Sequence, residues 1–292
     1  MNIIKPGLGT ILAVIGFAAQ GQIFVASTPL NLVGEYNLDG TPINTSLSWG
    51  GNPWGGASDG NGHSFWAMEG NRTVGEYSTS GAVLNASLIS IRGDPEGVVL
   101  DGNGHLFVVD GLLGTVGEYN LDGSTVNPSL ITGLPGGFSS IAYDGNGHLF
   151  VGTPGTIGEY ATSGAVINAS LISVGAPDGI ACDRNGHVFV ANSDGVSEYT
   201  TSGTVVNASL IASGLSAPFS IAYDGNGHLF VGNRGSGTVG EYTTDGTTIN
   251  ASLITGLNQP FGIVVVPEPS TTCLILLGCV GGTVFGVRKR NT

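Results

Sequence analysis

The residues best suited to chemistry in this 292-residue chain belong to one recurring motif, Asp-Gly-Asn-Gly-His. Four copies stand at Asp59–His63, Asp101–His105, Asp144–His148 and Asp224–His228, and a fifth, Asp183–His187, has Arg184 in place of the first glycine. Every histidine of the chain is the last residue of one copy. Aspartate and asparagine at the first and third positions resemble part of a calcium loop, and histidine suits zinc or copper.

The same motif is better explained as a tight turn between two strands. Its Asn-Gly pair supplies the positive φ that a hairpin turn requires, and its aspartate accepts hydrogen bonds from nearby backbone N–H groups. The distal bidentate glutamate of an EF-hand loop is missing from it. The sequence therefore predicts turns and no cofactor, with a bound divalent cation as the alternative.

A second motif, Gly-Glu-Tyr, supplies six glutamates. Its copies are Gly34–Tyr36, Gly75–Tyr77, Gly117–Tyr119, Gly158–Tyr160 and Gly240–Tyr242, with Ser197–Tyr199 as a variant. An active site needs carboxyl groups whose environments separate their pKa values, and six equivalent copies lack that asymmetry. We expect these glutamates to be structural, and we predict no catalytic residues.

The elements that position these motifs repeat about every 40 residues. Each unit reads as four short strands, here called a, b, c and d, with the Asp-Gly-Asn-Gly-His turn between a and b. The first unit begins at strand b (Ile23–Ser27), and the last ends after strand a (Phe261–Val266). These two fragments complete one unit. The sequence thus predicts an all-β, six-bladed propeller closed by pairing between the terminal strands.

In such a ring the connections from strand d to the next strand a enter one mouth of the channel. The residues placed there are Trp54, Glu96, Phe138, Asp178, Phe219 and Phe261. Four aromatic rings and two acids suit a sugar or another neutral-to-cationic small ligand, and the alternative is that the rings simply plug the channel. Glu96 and Asp178 are weak candidates for a metal site, to which Glu69 or Asp110 could add a third acid. Arg72, Arg92 and Arg234 are expected to be surface charges.

The pairing of strands b and c is predicted from their residue types. Phe150 is expected opposite Gly158, and His228 opposite Tyr242, with the other blades alike. An aromatic ring over a cross-strand glycine is a stabilising arrangement.

Overall composition limits the partners. The net charge of −13 excludes nucleic acid as a partner of the body of the protein. No phosphate loop, serine elbow or metal-binding histidine pair is present.

Both ends of the chain have the features of targeting segments. Residues 1–21 carry Lys5, an apolar run and small residues, the layout of a secretory signal peptide read by the Sec translocon. At the other end Pro267, Glu268 and Pro269 precede an apolar stretch from Thr271 to Val287 and a basic end, Arg288–Arg290. An apolar stretch of this length is near the lower limit for a transmembrane helix, and a plain membrane anchor is the alternative.

The C-terminal pattern resembles the PEP-CTERM sorting signal of Gram-negative bacteria. The resemblance implies recognition of Pro267-Glu268-Pro269 by an exosortase-type enzyme, removal of the tail, and a place at the cell surface or outside the cell after an inner-membrane intermediate. The domain prediction is a signal peptide at 1–21, a propeller at 22–266 and a sorting segment at 267–292.

The body resembles NHL-repeat propellers, most clearly at Pro218–Asp224 followed by His228–Val231. That resemblance implies fold and not activity. Similar propellers include metal-dependent lactonases and a streptogramin lyase. Two functions follow as expectations: a non-enzymatic binding or scaffold module, with polysaccharide as a candidate ligand, and a metal-dependent lactonase or lyase acting at the channel mouth.

Overall fold

In a computed structural model, which describes residues 21–137 and 140–267, the chain forms six four-stranded antiparallel sheets arranged around one axis. The predicted six-bladed β-propeller is confirmed. The helices of the described residues are two short 3-10 turns, Thr28–Leu30 and Glu69–Asn71, and neither is long and apolar enough to cross a membrane. The predicted terminal apolar helices lie outside the described residues.

Each blade contributes strands a, b, c and d from the channel outwards. Blade 1 consists of β24 (Pro260–Val266), β1 (Gln22–Ser27), β2 (Leu32–Asn37) and β3 (Pro42–Leu47). Blade 2 consists of β4 (Pro53–Ser58), β5 (His63–Met68), β6 (Thr73–Ser78) and β7 (Val83–Ser90). Blade 3 consists of β8 (Pro95–Leu100), β9 (His105–Asp110), β10 (Thr115–Asn120) and β11 (Thr125–Ile131).

The second half of the ring repeats this order. Blade 4 consists of β12 (Ile141–Tyr143), β13 (His148–Thr153), β14 (Thr156–Ala161) and β15 (Val166–Ser173). Blade 5 consists of β16 (Gly179–Cys182), β17 (His187–Asn192), β18 (Gly195–Thr200) and β19 (Val205–Ile211). Blade 6 consists of β20 (Pro218–Tyr223), β21 (His228–Asn233), β22 (Thr238–Thr243) and β23 (Thr248–Ile254).

The ring closes within blade 1, as the sequence predicts. Strand β24 pairs antiparallel with β1, and Gln22, Phe24 and Ala26 stand opposite Val266, Val264 and Gly262. Closure leaves no blade with an unpaired inner strand, which removes edges that would otherwise be open to aggregation.

The apolar core lies between neighbouring blades. Six buried clusters fill the ring, each joining residues of two adjacent sheets. Between blades 3 and 4, for example, Phe107 and Val109 pack with Ile141, Leu149 and Tyr160. Burial of both faces thus explains the continuous apolar run in strand b, such as Leu149–Val151 of blade 4.

The predicted register of strands b and c is wrong by one residue. Phe150 stands opposite Glu159, and Val151 stands opposite Gly158, because the two strands are joined by the two-residue turn Pro154-Gly155. The glycine is covered instead by the tyrosine of its own motif: a Cβ at Gly158 would lie 2.8 Å from the Tyr160 ring. Residues i and i+2 of a strand share a face, so the tyrosine reaches back over the glycine.

The same shift changes the neighbours of the histidines. His228 stands opposite Thr243, and Leu229 takes the expected place opposite Tyr242. On the face that His228 shares, its diagonal neighbour is Glu241, the glutamate of the Gly-Glu-Tyr motif.

The strands that line the channel approach one another closely. A side chain at Gly262 would collide with the carbonyl oxygen of Trp54, and one at Gly55 with that of Glu96. Five aliphatic residues from five blades line cavities at both ends of the channel and are here called the waist; they are Val98, Ile141, Ile180, Ile221 and Ile263. The waist therefore lies between the two cavities.

The outer strands carry a repeated kink. In each d strand the side-chain oxygen of an asparagine accepts a hydrogen bond from the N–H two residues on, as Asn168 does from Ser170 at 3.1 Å. The pairing with strand c shifts register at this point in all six blades. Such bulges interrupt an exposed sheet edge and hinder pairing with another chain.

Candidate ligand-binding site

One end of the channel, here called the upper mouth, gathers most of the predicted site residues. A cavity of about 120 Å³ is lined by Trp54, Glu96, Asp178, Phe219 and Phe261, one from each of five blades. Phe138 lies outside the described residues. Five of the six residues chosen from repeat position alone therefore lie around one cavity.

Three aromatic rings of the upper mouth are in mutual contact. The Phe219 and Phe261 centroids are 4.8 Å apart with their planes at 70°, and Trp54 lies 4.8 Å from Phe261 and 6.0 Å from Phe219. These are the edge-to-face geometries that aromatic pairs prefer. The rings are contributed by blades 2, 6 and 1, which are neighbours in the closed ring, so this cluster depends on ring closure.

A cation lies over this aromatic cluster. The Arg234 guanidinium carbon is 5.3 Å from the Phe219 centroid and 5.5 Å from the Phe261 centroid, within cation–π range. Burial raises the pKa of Asp178 to about 6, and the nearby Arg234 opposes that rise. Asp178 therefore exchanges its proton close to neutral pH, and it can donate or accept a hydrogen bond there.

The predicted acids differ in how they are held. The Trp54 indole N–H donates to Glu69 at 2.7 Å, which fixes the indole ring from the neighbouring b–c connection. The Glu96 carboxylate lies against Gly111, where any side chain would collide with it. Asp110 accepts hydrogen bonds from the backbone N–H groups of Gly93, Asp94 and Leu113. Its carboxylate therefore stabilises the loop and does not line the cavity.

No metal site is built among the residues that the structure describes. They contain no group of three or more His, Cys, Asp or Glu side chains placed to hold a metal ion. Glu96 and Asp178 line the same cavity from blades 3 and 5, which are not adjacent. The divalent-cation alternative therefore stays a prediction.

The histidine motifs lie elsewhere, in the turns at the opposite end of the channel. The Nδ1 atom of His148 lies 2.9 Å from the Glu159 carboxylate and 3.6 Å from that of Asp144, and four further blades have a histidine beside the same glutamate. In blade 1, where the chain ends interrupt the turn, Gln22 donates to Glu35 at 2.8 Å and replaces the histidine. Each copy thus joins strand b to strand c. In four of the five histidine blades the turn aspartate also lies within ion-pair range of Nδ1.

Two residues of the upper mouth have roles that the sequence does not predict. Arg234 was expected to be a surface charge, yet it lies over two rings of the cluster. Glu69 was only an optional metal ligand, yet it orients Trp54. Both come from b–c connections, which vary in length between blades and lack a repeated motif. Their position at the channel mouth becomes visible only when the blades are stacked in three dimensions.

Solved structures with a similar fold include proteins of different kinds. The nidogen/laminin complex aligns with a TM-score of 0.67 and 16% identity over 85% of this chain and 99% of that chain. Virginiamycin B lyase from Staphylococcus aureus aligns with a TM-score of 0.62 and 17% identity over 86% of this chain and 89% of that chain. A protein of unknown function from Bacteroides caccae aligns with a TM-score of 0.61 and 16% identity over 86% of this chain and 100% of that chain. No family model and no curated protein matches the chain. At these identities the likeness establishes the propeller fold alone.

Proposed function

We propose that this protein is an exported binding module whose upper mouth holds one sugar unit of an extracellular polysaccharide. The observation that supports this most is the convergence of Trp54, Phe219 and Phe261 with Asp178 at one cavity. Aromatic faces stack on the apolar face of a sugar ring, and the carboxyl group offers hydrogen bonds to its hydroxyls.

The size of the cavity limits what enters it. Pockets for drug-sized ligands measure roughly 300–1,000 Å³, whereas this cavity measures about 120 Å³. It suits a single ring or a chain end, with the remainder of the polymer outside. The acidic surface of the protein makes a neutral sugar the better match, since a polyanion would be repelled by its net charge of −13.

Calorimetric titration of the purified chain with neutral oligosaccharides, in wild-type and variant forms, tests this proposal. Trp54→Ala is expected to weaken binding about tenfold or more, because it removes one stacking face. Leu112→Ala is the control: Leu112 is 58% exposed on another connection and does not line the cavity. Equal binding by wild type and Trp54→Ala, or binding by neither, would refute the proposal.

The same titration separates the binding module from the enzyme alternative. We expect a chelator to leave binding unchanged and no product to form during the titration. Turnover of a lactone or cyclic ester that stops when divalent ions are chelated would instead support the metal-dependent lactonase or lyase.

We propose further that the C-terminal pattern directs the protein to the cell surface through an exosortase-type enzyme, after export through the Sec translocon. The support is the order of Pro267-Glu268-Pro269, apolar run and basic end in the sequence. In a host that has such an enzyme, Glu268→Ala is expected to keep the tail on the protein, whereas wild type loses it. Intact-mass measurement distinguishes the two, and identical masses would contradict this route.

A further inference from the structure

The channel end opposite the upper mouth contains a second and larger cavity, here called the lower cavity. It measures about 680 Å³ and lies on the other side of the waist. Its walls come from the last residues of the a strands, whereas the upper mouth is formed by the first residues of those strands. This volume falls within the range of small-molecule pockets.

The walls of the lower cavity combine apolar residues of the a strands with polar residues of the turns. Below the waist they are formed by Leu100, Tyr143, Cys182, Tyr223 and Val265, one from each of five blades. Burial raises the pKa of the Cys182 thiol, so the side chain stays neutral and contributes as a small apolar group. Burial also raises the pKa of Tyr223, which keeps its hydroxyl as a neutral donor. A pocket with apolar strand residues inside and polar turn residues at its rim suits an amphipathic ligand.

The rim contains the one turn that departs from the repeat. Arg184 adopts φ = 63°, a left-handed conformation that is unfavourable for a residue with a long side chain. The other four turns have glycine at this position, with φ between 71° and 83°. An arginine kept where glycine would be free of strain points to a role for its side chain.

The Arg184 side chain follows the rim of the lower cavity. Its aliphatic part lies against Gly145 of the neighbouring turn, where a Cβ would come within 3.2 Å of the Arg184 Cγ atom. Among the described residues it forms no salt bridge, and no other Lys, Arg or His lines the cavity. Its planar fork of N–H donors matches a carboxylate in a bidentate arrangement.

The aspartates that line the same cavity are already engaged by their own turns. Asp183 accepts the backbone N–H groups of Asn185 and His187 at 2.7 and 3.0 Å, and its second oxygen lies 2.9 Å from the His187 Nδ1 atom. Asp224 and Asp59 accept backbone N–H groups in the same way. Arg184 therefore presents the charge that is not engaged by a turn or an ion pair among these described residues.

We propose that the lower cavity binds a small amphipathic carboxylate, with its apolar body in the channel below the waist and its carboxylate on Arg184. The apolar end contacts the aliphatic waist, and the Tyr143 and Tyr223 rings pack along its side. This site lies at the opposite end of the channel from the sugar site, and the two cavities share only waist residues and Gly56.

Three probes with the same alkyl chain and different head groups test the proposal: octanoate, octanol and octylamine. They are titrated calorimetrically into the full purified chain at neutral pH. We expect octanoate to bind about tenfold or more tightly than octanol, since a charge-assisted bidentate hydrogen bond is added, and octylamine to bind weakest. Equal affinities, or tighter binding of octylamine, would overturn the proposal.

Two variants identify the site. Arg184→Gly restores the glycine found in the other four turns, so we expect it to fold with a thermal midpoint near that of wild type and to bind octanoate no better than octanol. Cys182→Phe adds a larger side chain to the cavity wall, so it should weaken the binding of all three probes without removing the preference for octanoate. Octanoate binding that survives Arg184→Gly would place the carboxylate elsewhere and refute the assignment.

Discussion

The histidine of blade 4 is expected to stabilise the ring through its polar contact with a buried glutamate. His148 is the test case: its Nδ1 atom lies 2.9 Å from Glu159, whose side chain is only 10% exposed. Replacing His148 by leucine leaves that carboxylate without this partner. Hydrogen bonds to charged groups contribute about 1.5–3 kcal/mol, so we expect His148→Leu to lower the free energy of unfolding by roughly 2 kcal/mol.

The chain itself supplies the matched control. Gln22 occupies the histidine position of blade 1 and donates to Glu35 at 2.8 Å, so His148→Gln should keep a polar donor beside Glu159. We expect this variant to lose less than about 1 kcal/mol, mostly through small differences in packing. The leucine and glutamine variants differ in donor capacity, and both avoid the charge that a lysine would add.

Urea denaturation near neutral pH, followed by circular dichroism, measures the effect. Equal slopes of the unfolding free energy against urea would show that the variants change stability and not the extent of unfolding. A double variant, His148→Leu with Glu159→Leu, removes both partners and should recover part of the loss. If glutamine and leucine destabilise the protein equally, the polar contact with Glu159 is not what stabilises the ring.

Three further predictions concern closure, packing and pH. Ending the chain before Pro260 removes strand β24 and its pairing with β1, so we expect no cooperative unfolding transition in calorimetry, and a normal transition would refute ring closure. Gly262→Ala should destabilise the protein by about 1–3 kcal/mol because its Cβ meets the Trp54 carbonyl, whereas Gly175→Ala, with open space around it, should be neutral in the same denaturation assay. The folded pKa of Asp178, about 6, lies above its ordinary value of 3.8, so its stabilising contribution is complete below about pH 4 and is lost as pH rises through 6. The free energy of unfolding of Asp178→Asn should therefore equal that of wild type near pH 4 and exceed it by about 1 kcal/mol at pH 7.5, allowing for solvent screening of this half-buried group. Equal stability of the two proteins at both pH values would refute the raised pKa.

The architecture could be predicted because the sequence repeats it. Six copies of a strand pattern and incomplete units at the two ends are enough to place β24 beside β1. Repeat position also placed Trp54, Phe219 and Phe261 at one mouth, since equivalent residues of a closed ring lie at one height along its axis.

The features that the sequence predicts wrongly or not at all depend on distances between residues, which a repeat pattern does not give. The b–c register was wrong by one residue because the expected pairing needs an odd-numbered loop, whereas blade 4 closes with the two-residue turn Pro154-Gly155. The roles of Arg234 and Glu69 depend on how connections of different length fold over the channel. The lower cavity depends on the side chains that five separate blades direct into the channel, and periodicity alone does not give its width.

Ring closure has a consequence for how the chain can be rearranged. Val266 and Gln22 stand opposite each other where the other blades have Asp and His, so a Gly-Asn-Gly linker between them would reproduce the missing turn. Once they are joined, the covalent break can be moved to any other turn at that end of the channel, such as the one between Asp101 and His105. The order of blades along the polypeptide is then one of six circular permutants that share a single set of contacts.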